Sequence, residues 1–170
     1  MTDYEKRYQE SRDVCGPPSR EFLAFFERYD KTRAEVLDLG CGQGRDALFI
    51  ARMGHHVLGV DISRTGISHM LEGAEREALD VRGVVADVVE YEPPGDYDVV
   101  ILDRVLHTLK DDSQRLTVLD KASAVTKSGG FVLIADTPKH QGLIRSFFDD
   151  HSQDWVKAKD KKGFIFVQKS

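Results

Sequence analysis

The period of the hydrophobic pattern changes repeatedly along the chain. Short, nearly continuous apolar runs occupy 35–39, 56–60, 83–86, 96–102 and 131–135. Runs of this length without alternation read as strands covered on both faces, as in a parallel sheet. Between them the apolar residues recur every three or four positions. Phe22, Leu23, Phe25 and Phe26 mark a helix that begins at Ser19 and ends near Tyr29. A second helix runs from about 45 to 53 and is closed by Gly54. Ile67, Met70, Leu71 and Ala74 predict a third over 63–79, and Leu116, Leu119, Ala122 and Val125 a fourth that starts at Asp111-Asp112-Ser113. Leu143, Ile144, Phe147 and Phe148 place a short one over 141–149. Strands alternating with helices predict an α/β fold. The end of the chain differs: runs at 155–159 and 164–168 flank Asp160-Lys161-Lys162-Gly163, which reads as an antiparallel hairpin.

The first strand feeds the second helix through Gly40-Cys41-Gly42-Gln43-Gly44. A strand entering a helix through such a turn lets a ligand approach the backbone. The spacing narrows the ligand. Dinucleotide sites use G-x-G-x-x-G, and here Arg45 stands in the place of the third glycine. Asp38, just before the turn, would repel a pyrophosphate. No Gly-Lys-Ser/Thr follows, which excludes the Walker loop. A cationic nucleoside fits better, and S-adenosylmethionine, with a sulfonium, an ammonium and one carboxylate, is such a ligand. Asp61 lies 21 positions past Gly40, at the tip of the second strand, where a carboxylate grips a ribose diol. It also reads as a cap for the helix that follows. Ile62 would lie against the adenine.

Length and charge bound the partners. At 170 residues the chain has room for one domain with a sizeable core. Its net charge of -5 argues against a broad nucleic-acid surface, and the cluster Lys157, Lys159, Lys161 and Lys162 reads as a solvated hairpin. No apolar run approaches the roughly 20 residues of a membrane span, and the polar N-terminus carries no signal-peptide pattern. Two cysteines, Cys15 and Cys41, offer neither a disulfide framework nor metal-ligand spacing, so no metal is expected. A reducing, cytoplasmic setting fits this composition.

Val36-Leu37-Asp38-Leu39-Gly40-Cys41-Gly42-Gln43-Gly44 resembles the first motif of class I S-adenosylmethionine-dependent methyltransferases. The continuation through Arg45-Asp46-Ala47-Leu48 and Gly59-Val60-Asp61-Ile62-Ser63 is most similar to the small-molecule branch, which includes tellurite-resistance and thiopurine-type enzymes. The likeness covers about 33–130 and implies a Rossmann-like seven-stranded α/β fold, mostly parallel, with helices on both faces and a C-terminal antiparallel hairpin. It implies S-adenosyl-L-methionine as cofactor and S-adenosyl-L-homocysteine as product. Cofactor binding then falls to Asp38, Gly40, Gly42, Gly44, Asp61, Ile62, Asp87, Val88, Asp103 and Tyr8. Asp87 and Val88 would clamp the adenine, although Asp87 also reads as a turn residue.

In that topology the tip of the fourth strand, Asp103-Arg104, and the following Val105-Leu106-His107 face the transferable methyl group. Asp103, Arg104 and His107 are the candidate catalytic residues, with Asp136 and an N-terminal tyrosine as further candidate bases. His107 reads either as a base or as a packed residue making one structural hydrogen bond. The family's N-terminal segment often folds over the cofactor, which divides the chain into a lid, 1–18, and a cofactor-binding domain, 19–170. Tyr4, Tyr8 and Arg12 belong to that lid, or simply pack a terminal helix. With no other cap segment, the acceptor pocket is expected to be open or mobile without cofactor. The function expected is methylation of a small molecule, a thiol, metalloid or similar acceptor. A non-catalytic cofactor-binding partner subunit is the alternative. An NAD(P)-linked reductase is disfavoured by Arg45 and the hairpin. Nothing in the residues sets the oligomeric state.

Overall fold

The strands read from the sequence all form, and with the helices between them they make an α/β fold. The computed structural model describes residues 3–151 and 153–170. Among these, seven strands make a mixed sheet. The chain divides into two compact units, Met1–Val88 and Val89–Ser170.

In the first unit β1 (Glu35–Leu39), β2 (His56–Asp61) and β3 (Val81–Val85) run parallel, with β2 central. Around them lie α1 (Asp3–Glu10), α2 (Arg20–Arg28), α3 (Arg45–Arg52) and α4 (Arg64–Arg76). α2 starts where the Ser19 hydroxyl accepts from the Phe22 amide at 3.3 Å. It buries Phe22 and Phe26, and Phe26 meets Phe49 of α3 edge to face at 5.9 Å.

Two boundaries differ from the sequence reading. α4 stops at Arg76 instead of Leu79. Ala78 adopts φ +53°, and the Ala78 and Leu79 amides donate back to Glu75 and Ala74 at 3.2 and 2.9 Å. This is a Schellman end with alanine where glycine is usual, so no stop signal was visible. β3 starts at Val81, two residues early, because Val81 and Arg82 already pair with Val57 and Leu58.

The second unit orders its strands β4 (Tyr97–Asp103), β5 (Thr126–Ala135), β7 (Phe164–Lys169) and β6 (Trp155–Lys161). β4 and β5 are parallel, and β7 is antiparallel to both its neighbours. β4 is buried along its whole length, which accounts for the unbroken apolar run over 99–102. β5 begins at Thr126, and the register jumps from Tyr97↔Thr126 to Val99↔Phe131, so residues 127–130 bulge from the ladder. The hairpin turn is only Lys162-Gly163, with Gly163 at φ +85°.

α5 (Asp112–Ala124) buries Arg115, Val118, Leu119 and Ala122, while Leu116 and Val125 are only half-buried. The face is rotated from the expected stripe because Arg115 points inward. α6 (Gln141–Asp150) buries Ile144, Phe147 and Phe148 as expected. Two 3-10 turns, Leu106–Thr108 and Pro138–His140, carried no apolar period to announce them. No described helix is long and apolar enough to cross a membrane.

Candidate functional site

Gly40, Gly42 and Gly44 all take left-handed backbone, at φ +80°, +54° and +83°. Only glycine adopts three such conformations in five residues without strain. Two amides at the head of the turn, Gly40 and Cys41, donate to the Val60 carbonyl at 2.7 and 3.1 Å, which ties the turn to β2. A Cβ on Gly42 would run into the Tyr8 hydroxyl, and one on Gly44 would meet Met70 Cβ at 2.8 Å. Met70 is keyed into a slot between Gly44, Gly59 and Gly83. It is therefore more than the ordinary core residue its helical spacing suggested. Gly66 of α4 is equally constrained, since a Cβ there would lie 2.8 Å from the Gly42 carbonyl oxygen.

Carboxylates surround this turn. Gly44 has no side chain to cap α3, and the Asp38 carboxylate accepts from the Ala47 amide instead. Asp38 is 2% exposed, and its Oδ2 has no hydrogen-bond partner. Burial raises its pKa well above the usual carboxylate range; the charge of Asp46 adds to this, and Arg45 opposes it. Asp46, also buried, has an unpartnered Oδ1 and is raised by burial against the pull of Arg45, whose Nη2 is 3.5 Å away. Cys41 is a buried thiol pushed up by the same burial and by Asp38, so it is filler and not a nucleophile. An orphaned carboxylate oxygen beneath an open-backboned turn suits a ligand with a cationic end and disfavours a phosphate chain.

Asp61 accepts from the Gly42 amide at 2.9 Å and from the Ser63 amide at 2.8 Å. Burial raises its pKa while these two bonds oppose the rise. Each oxygen keeps a lone pair for a hydroxyl. The helix cap itself belongs to Ser63, whose hydroxyl accepts from the Gly66 amide at 2.9 Å. Ile62 is 52% exposed beside it. Asp87 is exposed two residues beyond β3, and Val88 is buried.

The N-terminal segment is held down rather than free. Its first two residues lie outside those described. Glu5 accepts from the Ser63 and Thr65 hydroxyls, the latter at 2.5 Å, and from the Thr65 amide at 3.3 Å. These bonds, from Ser63 first, hold its carboxyl at about 2. Tyr8 is 4% exposed, and burial raises its phenol. Gln43 takes the Val14 amide at 3.0 Å and donates to the Ser11 carbonyl at 2.6 Å, and Arg45 donates to the Cys15 carbonyl at 3.0 Å. Arg12 pairs with Glu72 at 2.8 Å. The N-terminal segment is thus docked on the glycine turn and on α4. Glu5 was missed because it stands in no motif, and Gln43 because it occupies a spacer position between the glycines whose side-chain contacts the spacing does not reveal.

In the second unit Asp103 is buried at the end of β4, and Arg104, exposed, takes φ +55° with its amide on the Ala135 carbonyl at 2.7 Å. A left-handed arginine is a strained position of the kind that collects at functional sites. The His107 amide donates to Asp136 at 3.0 Å, and Arg115 of α5 donates to the Leu106 and Leu109 carbonyls at 3.0 and 2.6 Å. Arg115 was not read from the sequence; only the contacts it makes reveal it. No group of metal-ligating side chains occurs among the described residues.

Residues 36–130 match the family model for a methyltransferase domain. Hemagglutinin 1 of Eikenella corrodens is 33% identical over 135 residues, which is 74% of this chain and 45% of that protein. A probable S-adenosyl-L-methionine-dependent methyltransferase, TehB of Haemophilus influenzae (strain 10810), is 28% identical over 100 residues, 59% of this chain and 35% of that protein. The chain thus spans less than half the length of either relative. Among solved structures, the N-methyltransferase NodS from Bradyrhizobium japonicum WM9, in complex with S-adenosyl-L-homocysteine, superposes with a TM-score of 0.76 over 99% of both chains at 12% identity. That likeness concerns the fold.

Proposed function

Because the chain belongs to the class I S-adenosylmethionine-dependent methyltransferase family, we propose that it binds S-adenosyl-L-methionine and methylates a small-molecule acceptor, a thiol, metalloid or similar nucleophile, in a reducing, cytoplasmic setting. The observation that carries the cofactor half is the glycine turn over Asp38: three left-handed glycines and a buried carboxylate oxygen without a partner. In this reading Gly40, Gly42 and Gly44 give the ligand backbone access, Asp38 answers its cationic end, Asp61 takes the ribose diol, and Ile62, Asp87 and Val88 take the adenine. Tyr8 covers the turn at Gly42. When bound, the cofactor supplies an electrophilic methyl group.

Transfer of that group is an in-line displacement in which positive charge is consumed. The protein's part is then alignment and exclusion of water. The docked lid serves exclusion: Glu5, Tyr8, Gln43 and Arg45 hold it shut by hydrogen bonds and packing. Asp103, Arg104 and His107 serve the acceptor. Burial raises the pKa of Asp38, Asp46 and Asp61, so a cationic nucleoside beside them would help them ionise whereas a phosphate would not, which favours the nucleoside over a nucleotide.

The test is turnover. Purified protein is given the cofactor and a panel of small thiols, tellurite and phenols, and release of S-adenosyl-L-homocysteine is measured. Release that depends on one class of acceptor supports the reading. A protein that binds S-adenosyl-L-homocysteine yet turns over nothing would favour the role of a non-catalytic partner subunit.

A further inference from the structure

Asp136 closes β5 with its side chain 2% exposed. One oxygen accepts from the Thr137 amide at 2.7 Å and lies 3.1 Å from His140 Nδ1. The other accepts from the His107 amide at 3.0 Å and lies 3.5 Å from His107 Nδ1. That Nδ1 is sealed from solvent, while the His107 side chain as a whole keeps 28% exposure. The open part of the ring is therefore the edge away from Asp136, which carries Nε2. The turn beneath is fastened by Arg115 to the Leu106 and Leu109 carbonyls, and by the Thr108 hydroxyl to the Val105 carbonyl at 2.6 Å. Nδ1 makes no hydrogen bond in this structure, but a carboxylate 3.5 Å away favours a proton on that sealed nitrogen, which leaves the lone pair at Nε2 facing outward.

We propose that His107 is a general base for the acceptor and Asp136 its positioning residue, so that the acceptor is a phenol or catechol, whose hydroxyl must lose a proton on methylation. The proposal rests on the methyltransferase reading above and narrows its acceptor away from thiolates and metalloid anions, which need no base. His107 Nε2 takes the hydroxyl proton as the acceptor oxygen forms its bond to the methyl carbon. The carbon–sulfur bond breaks with its electron pair left on sulfur. The positive charge lost from sulfur appears on the imidazolium, beside the Asp136 carboxylate. The proton then passes from Nε2 to water. Charged and titratable groups about the ring are Asp136 and His140; on its own segment Asp103 is buried, and Arg104 and Lys110 are exposed.

The experiment compares wild type, His107→Gln and Asp136→Asn on phenols and catechols against thiols of similar size, from pH 6 to 9, with calorimetric binding of S-adenosyl-L-homocysteine alongside. Wild type is expected to methylate phenols with a rate that rises through neutral pH. His107→Gln lowers kcat on phenols by about 10²–10³-fold and abolishes that rise, with cofactor affinity unchanged. Asp136→Asn lowers kcat by about tenfold or more and displaces the pH limb. If Asp136→Asn fails to fold, His107→Gln alone decides. Phenol rates within about twofold of wild type in a His107→Gln protein that still binds S-adenosyl-L-homocysteine overturn the base role. So does wild-type protein that binds it and methylates only thiols, or methylates neither class. In those cases the cofactor reading stands. Failure of wild type to bind S-adenosyl-L-homocysteine removes the underlying reading and this proposal with it.

Discussion

The glycine turn and the His107 turn are the candidate sites of the two units, and they are built in opposite ways. Residues 40–44 are adjacent in sequence, and their shape is set by the backbone: three left-handed glycines, two amides on one carbonyl and no side chain at the helix cap. The His107 turn is set by side chains that converge from elsewhere. Asp136 is 29 positions away along the chain, and Arg115 lies 9 positions past Leu106. A backbone-built site leaves a motif, because each conformation demands one residue type. A site built by convergence leaves none, because an aspartate, an arginine and a histidine are common residues until the fold brings them together.

Substitutions that break each kind of construction sharpen the contrast. The largest effect is expected of Gly44→Ala. It forces alanine to φ +83° and drives a Cβ into Met70, and these together cost about 2–5 kcal/mol. Urea denaturation measures the loss, and binding of S-adenosyl-L-homocysteine should disappear with it. A loss below about 1 kcal/mol would mean that the turn tolerates side chains and is not backbone-determined.

Arg115→Met comes next. It removes the donors to the Leu106 and Leu109 carbonyls and should cost about 2–3 kcal/mol. It should also reduce phenol methylation in protein that remains folded. Loss of stability without loss of rate would separate Arg115 from the site.

The docked N-terminal segment gives a pH prediction. Glu5 is held at about 2 against an ordinary 4.5, so its contribution is complete above 4.5 and is lost as pH falls from there toward 2. Limited proteolysis by an acid-active protease should therefore cut the segment near residue 16 faster at pH 3 than at pH 5, and Glu5→Gln should show the faster cutting at both. Equal rates throughout would show that other contacts hold the segment.

The smallest effect is a gain. Ala78→Gly at the left-handed end of α4 should stabilise the chain by about 0.5–1 kcal/mol.

These cases also mark how far the sequence could be read. Strands and helices followed from apolar period, and the turn from glycine spacing. The end of α4 was invisible because Ala78 stands where glycine would have announced it. The buried face of α5 was misjudged because Arg115 occupies an inward position that hydrophobicity assigns to Leu116 or Val125. Asp61 was found by spacing alone, but its hold on the Gly42 amide was not, since spacing gives no direction to a side chain. His107 and Asp136 each stood out as candidates; their pairing needed the fold.

The most direct measurement of the central claim is calorimetric titration of the purified chain with S-adenosyl-L-homocysteine and, separately, with NADH. A turn made for a cationic nucleoside should bind the first at one per chain and leave the second in solution. Heat from NADH, with none from S-adenosyl-L-homocysteine, would contradict it.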